Sequence, residues 1–443
     1  MLEILYIIIA LGLTIFFHEL GHFIAARALG VGVTSFSIGF GPKLFSFKKG
    51  ETEYLICALV FLGGYVKLQG ENPEELNPDD KKAFLNQHPM KKIIIASSGV
   101  IQNIFLAFLL MWLVFTIGTE TLKPTVGEVK KGYPAYDAGL QKGDEIININ
   151  GKKIKYWSEV TDIVTNFSGK ELNIVVLRGG KELSFNIEPK IEETEDILKD
   201  KKKRPFIGIS PLAFLPVVDE VKKGYPAYDA GLQKGDVILE ISGKKITYWD
   251  EVTDIIEKSK DTLKIKVRRD NEIKEFKIKP VVLQEKDNKK ETEDKKIIGI
   301  IPKANTTMER YNIIKASDKA VSQVVAFTVL TVKSIYKMLL RKIEADVAGP
   351  IGVIKISYEV AKTGIVNLMF LFAIININLA LINFLPLLPL DGGLTLMFII
   401  EWIRGKMVPL KIQEGLMQFG WMLLIFLLVF VTYKDIIRFF MKG

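Results

Sequence analysis

The sequence predicts an α-helical membrane protein: four transmembrane helices, with a large soluble α+β portion outside the membrane. Three observations carry this. Four apolar runs approach the ~20 residues that a bilayer core requires. A stretch of 37 residues recurs almost unchanged 92 positions later. The 443-residue chain is 49% hydrophobic yet 25% charged, which suits neither a wholly embedded nor a wholly soluble protein. Apolar content excludes disorder, and the single cysteine excludes a disulfide scaffold. Cys57, among apolar neighbours, reads as a small buried hydrophobe.

The first run, residues 2–26, is strongly polar only at Glu3 and at a cluster of His18, Glu19 and His22. No Lys or Arg precedes it and no small-residue cleavage site follows, unlike a signal peptide. The other runs cover residues 93–117, 365–385 and 416–432. Between the first two lie Arg27, Lys43, Lys48, Lys49, Lys67, Lys81, Lys82, Lys91 and Lys92. The positive-inside rule therefore places this loop in the cytoplasm and residues 118–364 outside. Arg404, Lys406 and Lys411 agree with a cytoplasmic turn between the last two spans. The net charge of +9 thus reads as topology. With no basic helix and no RNA-type aromatic motif, nucleic acid is not an expected partner.

Residues 54–68 are apolar and β-branched around Gly63 and Gly64. Too short to cross as a helix, they predict a re-entrant β-hairpin whose edge can pair with an extended chain. His88, in a polar loop before Pro89, reads as a surface histidine. Residues 309–342 show apolar positions at helical spacing and read as an amphipathic helix near the membrane surface, broken at Ala348, Gly349 and Pro350. The chain thus divides into a first membrane half (1–118), two module copies (119–211 and 212–302), amphipathic juxtamembrane helices (303–363) and a second membrane half (364–443).

The two copies open identically, EVKKGYPAYDAGLQKGD, and 30 of 37 positions match. Ile207, Gly208, Ile209 and Pro211 reappear as Ile298, Gly299, Ile300 and Pro302. Each copy predicts short strands, a helix near 157–167 or 249–259, and two further strands. The A-G-L-x-x-G-D-x-I pattern resembles the circularly permuted bacterial PDZ domain. That resemblance implies an extended peptide added to a sheet edge, its terminal carboxylate held on backbone amides. A spacer that merely restricts access is the competing reading.

His18, Glu19, Leu20, Gly21 and His22 form the sharpest signal. Two histidines four apart share one helix face and can share one Zn²⁺, with the adjacent Glu19 as general base. The chain has only three histidines, and an ionisable cluster inside an apolar run is costly unless it has a function. A third ligand is needed, and Asp391, followed by Gly392 and Gly393, is the best candidate; opposite chain directions bring it to the depth of the histidines. Asn376 and Asn383 share one face of the third run, where an amide can both donate and accept.

Together these residues resemble the site-2 protease family of intramembrane zinc proteases, most of all its bacterial members with four spans and tandem PDZ domains. The resemblance implies zinc ligands His18, His22 and Asp391 and a catalytic Glu19. It implies Asn383 steadying the substrate backbone, and membrane-associated β-structure around Gly63, Gly64 and Tyr65 as a further substrate contact. Leu394 stands where many members carry a histidine that is not a zinc ligand. The implied activity is a zinc metalloendopeptidase of the bacterial inner membrane, cleaving single-pass membrane proteins in or near their transmembrane segment. Anti-sigma-factor-like proteins and remnant signal peptides are the implied substrates, in a stress response. The active site would lie near the cytoplasmic side and the PDZ domains in the periplasm. Partners would be the substrates, the lipid bilayer and peptide C-termini at the PDZ domains. Two rivals are an inactive zinc-binding scaffold presenting PDZ domains and a zinc carrier. Intact Glu19 and Asp391 weigh against the first, and the lack of a polar path against the second.

Overall fold

A computed structural model describes residues 2–438 apart from 197, 287–291 and 344–346. The chain forms two compact units: Met1–Thr119 with Arg310–Gly443, and Glu120–Glu309.

Among the described residues of the first unit, four helices are long and apolar enough to cross a membrane: α1 (Leu2–Ala28), α2 (Pro89–Ile117), α5 (Ile365–Asn383) and α7 (Leu410–Ile436). Three further helices, α3 (Ile313–Leu339), α4 (Pro350–Lys362) and α6 (Asp391–Arg404), complete it. Helix α2 is the hub, packing on α1, α3, α5 and α6. It begins at Pro89 with His88 as N-cap, the His88 ring accepting from the Met90 amide at 3.3 Å. So His88 has a structural task beyond solvation.

Residues 309–342, read as an amphipathic helix, form α3, whose buried face carries Ala316, Ala320 and Val324. It runs along α2 and α5: Ala320 and Val324 pack in one cluster with Ala107, Met111, Ala373 and Ile377. Ala316 and Ala320, one turn apart and both buried, let the backbones approach closely, as small residues do between membrane helices. Thr331 adds a hydrogen bond, its hydroxyl donating to Asn378 Oδ1 at 3.0 Å.

A departure from the sequence reading lies at 54–68, expected as a re-entrant β-hairpin around Gly63 and Gly64. The segment is one bent strand, β2 (Thr52–Leu68), paired antiparallel with β1 (Val33–Lys49). Both halves of β2 flank the same part of β1: Ser35 faces Lys67 on one side and Glu53 on the other, and Ser37 faces Tyr65 and Leu55. Gly63, at φ +130°, serves the bend, and a Cβ there would come 2.9 Å from the Phe40 ring. The sheet turns Leu44, Phe45, Phe47 and Ile56 outward; Cys57 is buried within it.

Helix α7 is barely packed: only Gly420 and Asp435 are buried among its described residues. Asp435 accepts from the amides of Gly349 (3.1 Å) and Gly352 (2.7 Å), capping α4. Lys92, wholly buried in the first turn of α2, donates to Glu401 of α6 at 2.6 Å and lies over the Phe398 ring.

The second unit holds the repeat. Among the described residues, each copy has a core of thirteen buried residues that correspond one to one. The offset is 92 from Val126/Val218 to Val164/Ile256 and 91 from Leu172/Leu263 onward, so one residue is lost after the helix. The Asp of the shared G-D step is buried in both copies. Asp144 takes two bonds from Arg178 (2.6 and 2.7 Å), and Asp236 takes two from Arg269 (2.7 Å each). Each also accepts a backbone amide, from Gln141 and Gln233. Buried charge is tolerated because it is paired and saturated in this way. The isoleucine–glycine–isoleucine segments close the copy that precedes them: Ile209 pairs with Val129, and Ile300 with Val221. The copies are clasped by Lys142, which bonds Asp250 at 2.7 Å and lies over the Tyr248 ring; Tyr248 in turn donates to the Lys142 carbonyl. The residue equivalent to Asp250 in the first copy is Ser158.

Candidate metal centre

Helix α1 is apolar on all sides, as a helix bedded in lipid and other helices should be. His18 and His22 lie one turn apart on it, ring centroids 5.1 Å apart. Asp391 is the first residue of α6, where the helix dipole favours a carboxylate. Its Oδ2 lies 3.4 Å from Nε2 of both histidines, and the three ligand atoms are all within 4.8 Å of one another.

The glycines after Asp391 make this placement possible. A Cβ on Gly392 would fall 2.2 Å from the Phe384 carbonyl oxygen, and one on Gly393 2.4 Å from Leu387 carbonyl carbon. The first turn of α6 therefore tucks directly under the 384–387 turn, where no larger residue fits. Leu394 packs beside Phe398 in the neighbouring apolar cluster.

The far side of the site is the backbone of α2. A Cβ on Gly99 would lie 2.4 Å from His22 Nε2 and 2.9 Å from His18 Nε2. Gly21 of α1 likewise meets the Ser98 carbonyl oxygen at 2.4 Å for an added Cβ. The helices cross closely at these two glycines, and the space a side chain would fill at Gly99 is the space between the ligands. Helix α2 also orients both rings: His22 Nδ1 is 2.8 Å from the Ile95 carbonyl oxygen, and His18 Nδ1 is 3.1 Å from the Asn103 side-chain amide.

The donor set fits a metal. A carbonyl only accepts, so His22 carries a proton on Nδ1, which leaves Nε2, facing Asp391, as the nitrogen that can bind an ion. Asp391 Oδ2 is buried and has no hydrogen-bond donor. Ring nitrogens and a carboxylate that face one another need a shared proton or cation between them, and two imidazoles with one carboxylate make the three-ligand set of an open zinc site.

Glu19 lies beside the histidines, where a Cβ on Gly64 would come 3.0 Å from its Cγ. His18, Glu19, His22 and Asp391 line a cavity of about 530 Å³ together with Gly64 and Tyr65 of β2. Its wall continues through Phe84, Met397 and Phe398 to Glu71 and Gln413. Glu71 accepts from the Leu68 amide at 2.8 Å, and desolvation pushes its carboxyl above the ordinary value. Gly63 and Asn383 are not part of the lining; Asn383 is the last residue of α5. Asn376 ties α5 to α1, donating to Thr14 Oγ1 at 3.1 Å and to the Phe372 carbonyl at 2.8 Å. The sequence reading missed Ile95, Gly99 and Asn103. The available signal was polar and small residues, Ser97, Ser98, Gly99 and Asn103, within an otherwise apolar span.

The model of peptidase family M50 matches residues 6–427. The chain belongs to peptidase family M50. Among relatives of this M50 chain, the regulator of sigma-E protease RseP of Escherichia coli K12 is 30% identical and aligns over 97% of both chains. Protease RseP of Yersinia pestis is 29% identical over the same shares. A Neisseria meningitidis serogroup A protein named as a zinc metalloprotease is 30% identical, covering 97% of this chain and 98% of its own. The PDZ domain of an SdrC-like protein from Listeria monocytogenes is 32% identical, covering 19% of this chain and 84% of that domain, at TM-score 0.17. This M50 chain is thus a metalloprotease of the site-2 type.

Proposed function

We propose that the chain is a zinc-dependent intramembrane endopeptidase that cleaves single-pass membrane proteins in or near their transmembrane segment. One observation carries this reading: three ligand atoms converge beside a glutamate in a cavity walled by a β-strand. His18, His22 and Asp391 would hold the ion. Zinc at such a site supplies Lewis acidity toward a peptide carbonyl and toward water. Glu19 takes a proton from the attacking water and returns it to the leaving amine. A transmembrane helix must unwind before its amides are open to attack, and each freed group needs a polar partner. The strand at Gly64 and Tyr65 offers its edge to the unwound segment, and Asn383 a side-chain amide farther along.

In this reading β1 and β2 dip into the membrane from the cytoplasmic side, where the centre also lies. The two copies in residues 120–309 are PDZ domains facing the periplasm, where they hold back substrates whose outer domains have not been trimmed. Relatives named for regulating sigma-E point to anti-sigma-factor-like substrates, with remnant signal peptides as a second class. The test is Glu19→Gln in the full chain, with zinc content measured alongside cleavage of a membrane-embedded reporter. Zinc should stay bound while cleavage falls by about 10²–10⁴-fold; undiminished cleavage would overturn the mechanism.

A further inference from the structure

Both imidazoles take their outer partner from α2, but the partners differ in kind. His22 Nδ1 faces the Ile95 carbonyl oxygen, which can only accept. His18 Nδ1 faces Nδ2 of Asn103 at 3.1 Å, a group that can only donate. For His18 to turn a lone pair on Nε2 toward the ligand cluster, its proton must sit on Nδ1. Two donors would then confront each other. At the same time Asn103 is wholly buried and its Oδ1, an acceptor, has no partner. Half a turn of the amide resolves both conflicts. The released Nδ2 then has the option that Asn376 uses on α5, donation to the carbonyl four residues earlier. For Asn103 that carbonyl belongs to Gly99, which also faces the His18 ring.

We propose that Asn103 is a positioning residue of the metal centre, its Oδ1 accepting the His18 Nδ1 proton and so fixing the tautomer that leaves Nε2 free to bind the ion. The inference rests on the metal-centre reading above. It adds a residue eighty-five positions from its histidine, one that never touches the ion. Outer partners of ligating histidines commonly change metal affinity by about 10–100-fold.

The test uses the full chain in detergent, stripped of metal and titrated with zinc against a chromophoric chelator. Asn103→Leu, which keeps bulk and removes the acceptor, should weaken zinc binding by about 10–100-fold. Asn103→Asp, which keeps the acceptor and removes the donor, should hold affinity near the parent. The melting temperature of the metal-free chain is recorded beside the rise that zinc produces. A purely structural role would lower the first and leave the zinc-induced rise intact. Should the leucine variant not fold, Asn103→Ala carries the same comparison. Zinc affinity indifferent to Asn103→Leu, or an Asn103→Asp loss as large as that of Asn103→Leu, would overturn the inference alone. A parent chain that takes up no zinc would overturn the metal-centre reading and the inference with it.

Discussion

Gly99 shows how much one missing side chain decides. In a helix interior, glycine is worse than alanine by about 0.5–1 kcal/mol, so Gly99→Ala would ordinarily strengthen α2. Here the added methyl would stand 2.4 Å from His22 Nε2, inside the ligand cluster. The expected outcome is loss of zinc from a chain that still folds, read as metal per chain by elemental analysis of the purified variant. Retention of one zinc per chain would show that α2 can withdraw without cost. His18, Glu19 and His22 were legible in the sequence because they are local: five consecutive residues on one helix define their geometry. Gly99 and Asn103 were not, because their meaning depends on which helix crosses α1 and where. Asp391 lay between, its residue type and double glycine readable, its distance to the histidines not.

At the level of elements, α6 is the piece that aims the carboxylate, and it is held at both ends. Its first turn is locked under the 384–387 turn, and Glu401 near its end pairs with buried Lys92 of α2. Removing one member of a buried pair costs about 3–5 kcal/mol, whereas replacing both with apolar residues is often neutral. Lys92→Met alone should therefore lower the thermal midpoint sharply, and Lys92→Met with Glu401→Met should recover most of the loss. Equal melting of the single and double variants would remove the pair from the account of α6. This helix escaped the sequence reading, which had a cytoplasmic turn there; two glycines in its first turn mask its propensity. Strand β1 was missed for a similar reason. Gly39 and Gly41, at φ +91° and +86°, look like chain breakers. In the fold they bend one continuous strand, and only long-range pairing with both halves of β2 reveals it.

For the whole molecule, the reading commits to an orientation. Single cysteines at Lys81 and Lys181, in a Cys57→Ser background, should react from opposite faces of sealed vesicles. An impermeant maleimide added outside intact cells with a permeable outer envelope should label the second and spare the first until the inner membrane is opened. Labelling of Lys81→Cys alone would reverse the topology and the side from which substrates are presented, and labelling of both would put the two positions on one face and overturn the orientation.

The repeat sets this chain a folding problem as well. The strand that closes the first copy, Ile209–Pro211, stands immediately before Phe214–Val221, the first strand of the second copy. Its near twin, Ile300–Ala304, closes that second copy. To the second copy the two closing strands are near duplicates, and stability alone discriminates weakly between them. Order of synthesis discriminates strongly. The first copy is finished when Pro211 leaves the ribosome, and Pro302 follows roughly 5–18 s later at ordinary elongation rates. In that interval the first copy can capture its own strand before a competitor exists. Refolding the complete chain from denaturant has no such interval, so strand exchange between the copies becomes the misassembly to which this molecule is most exposed.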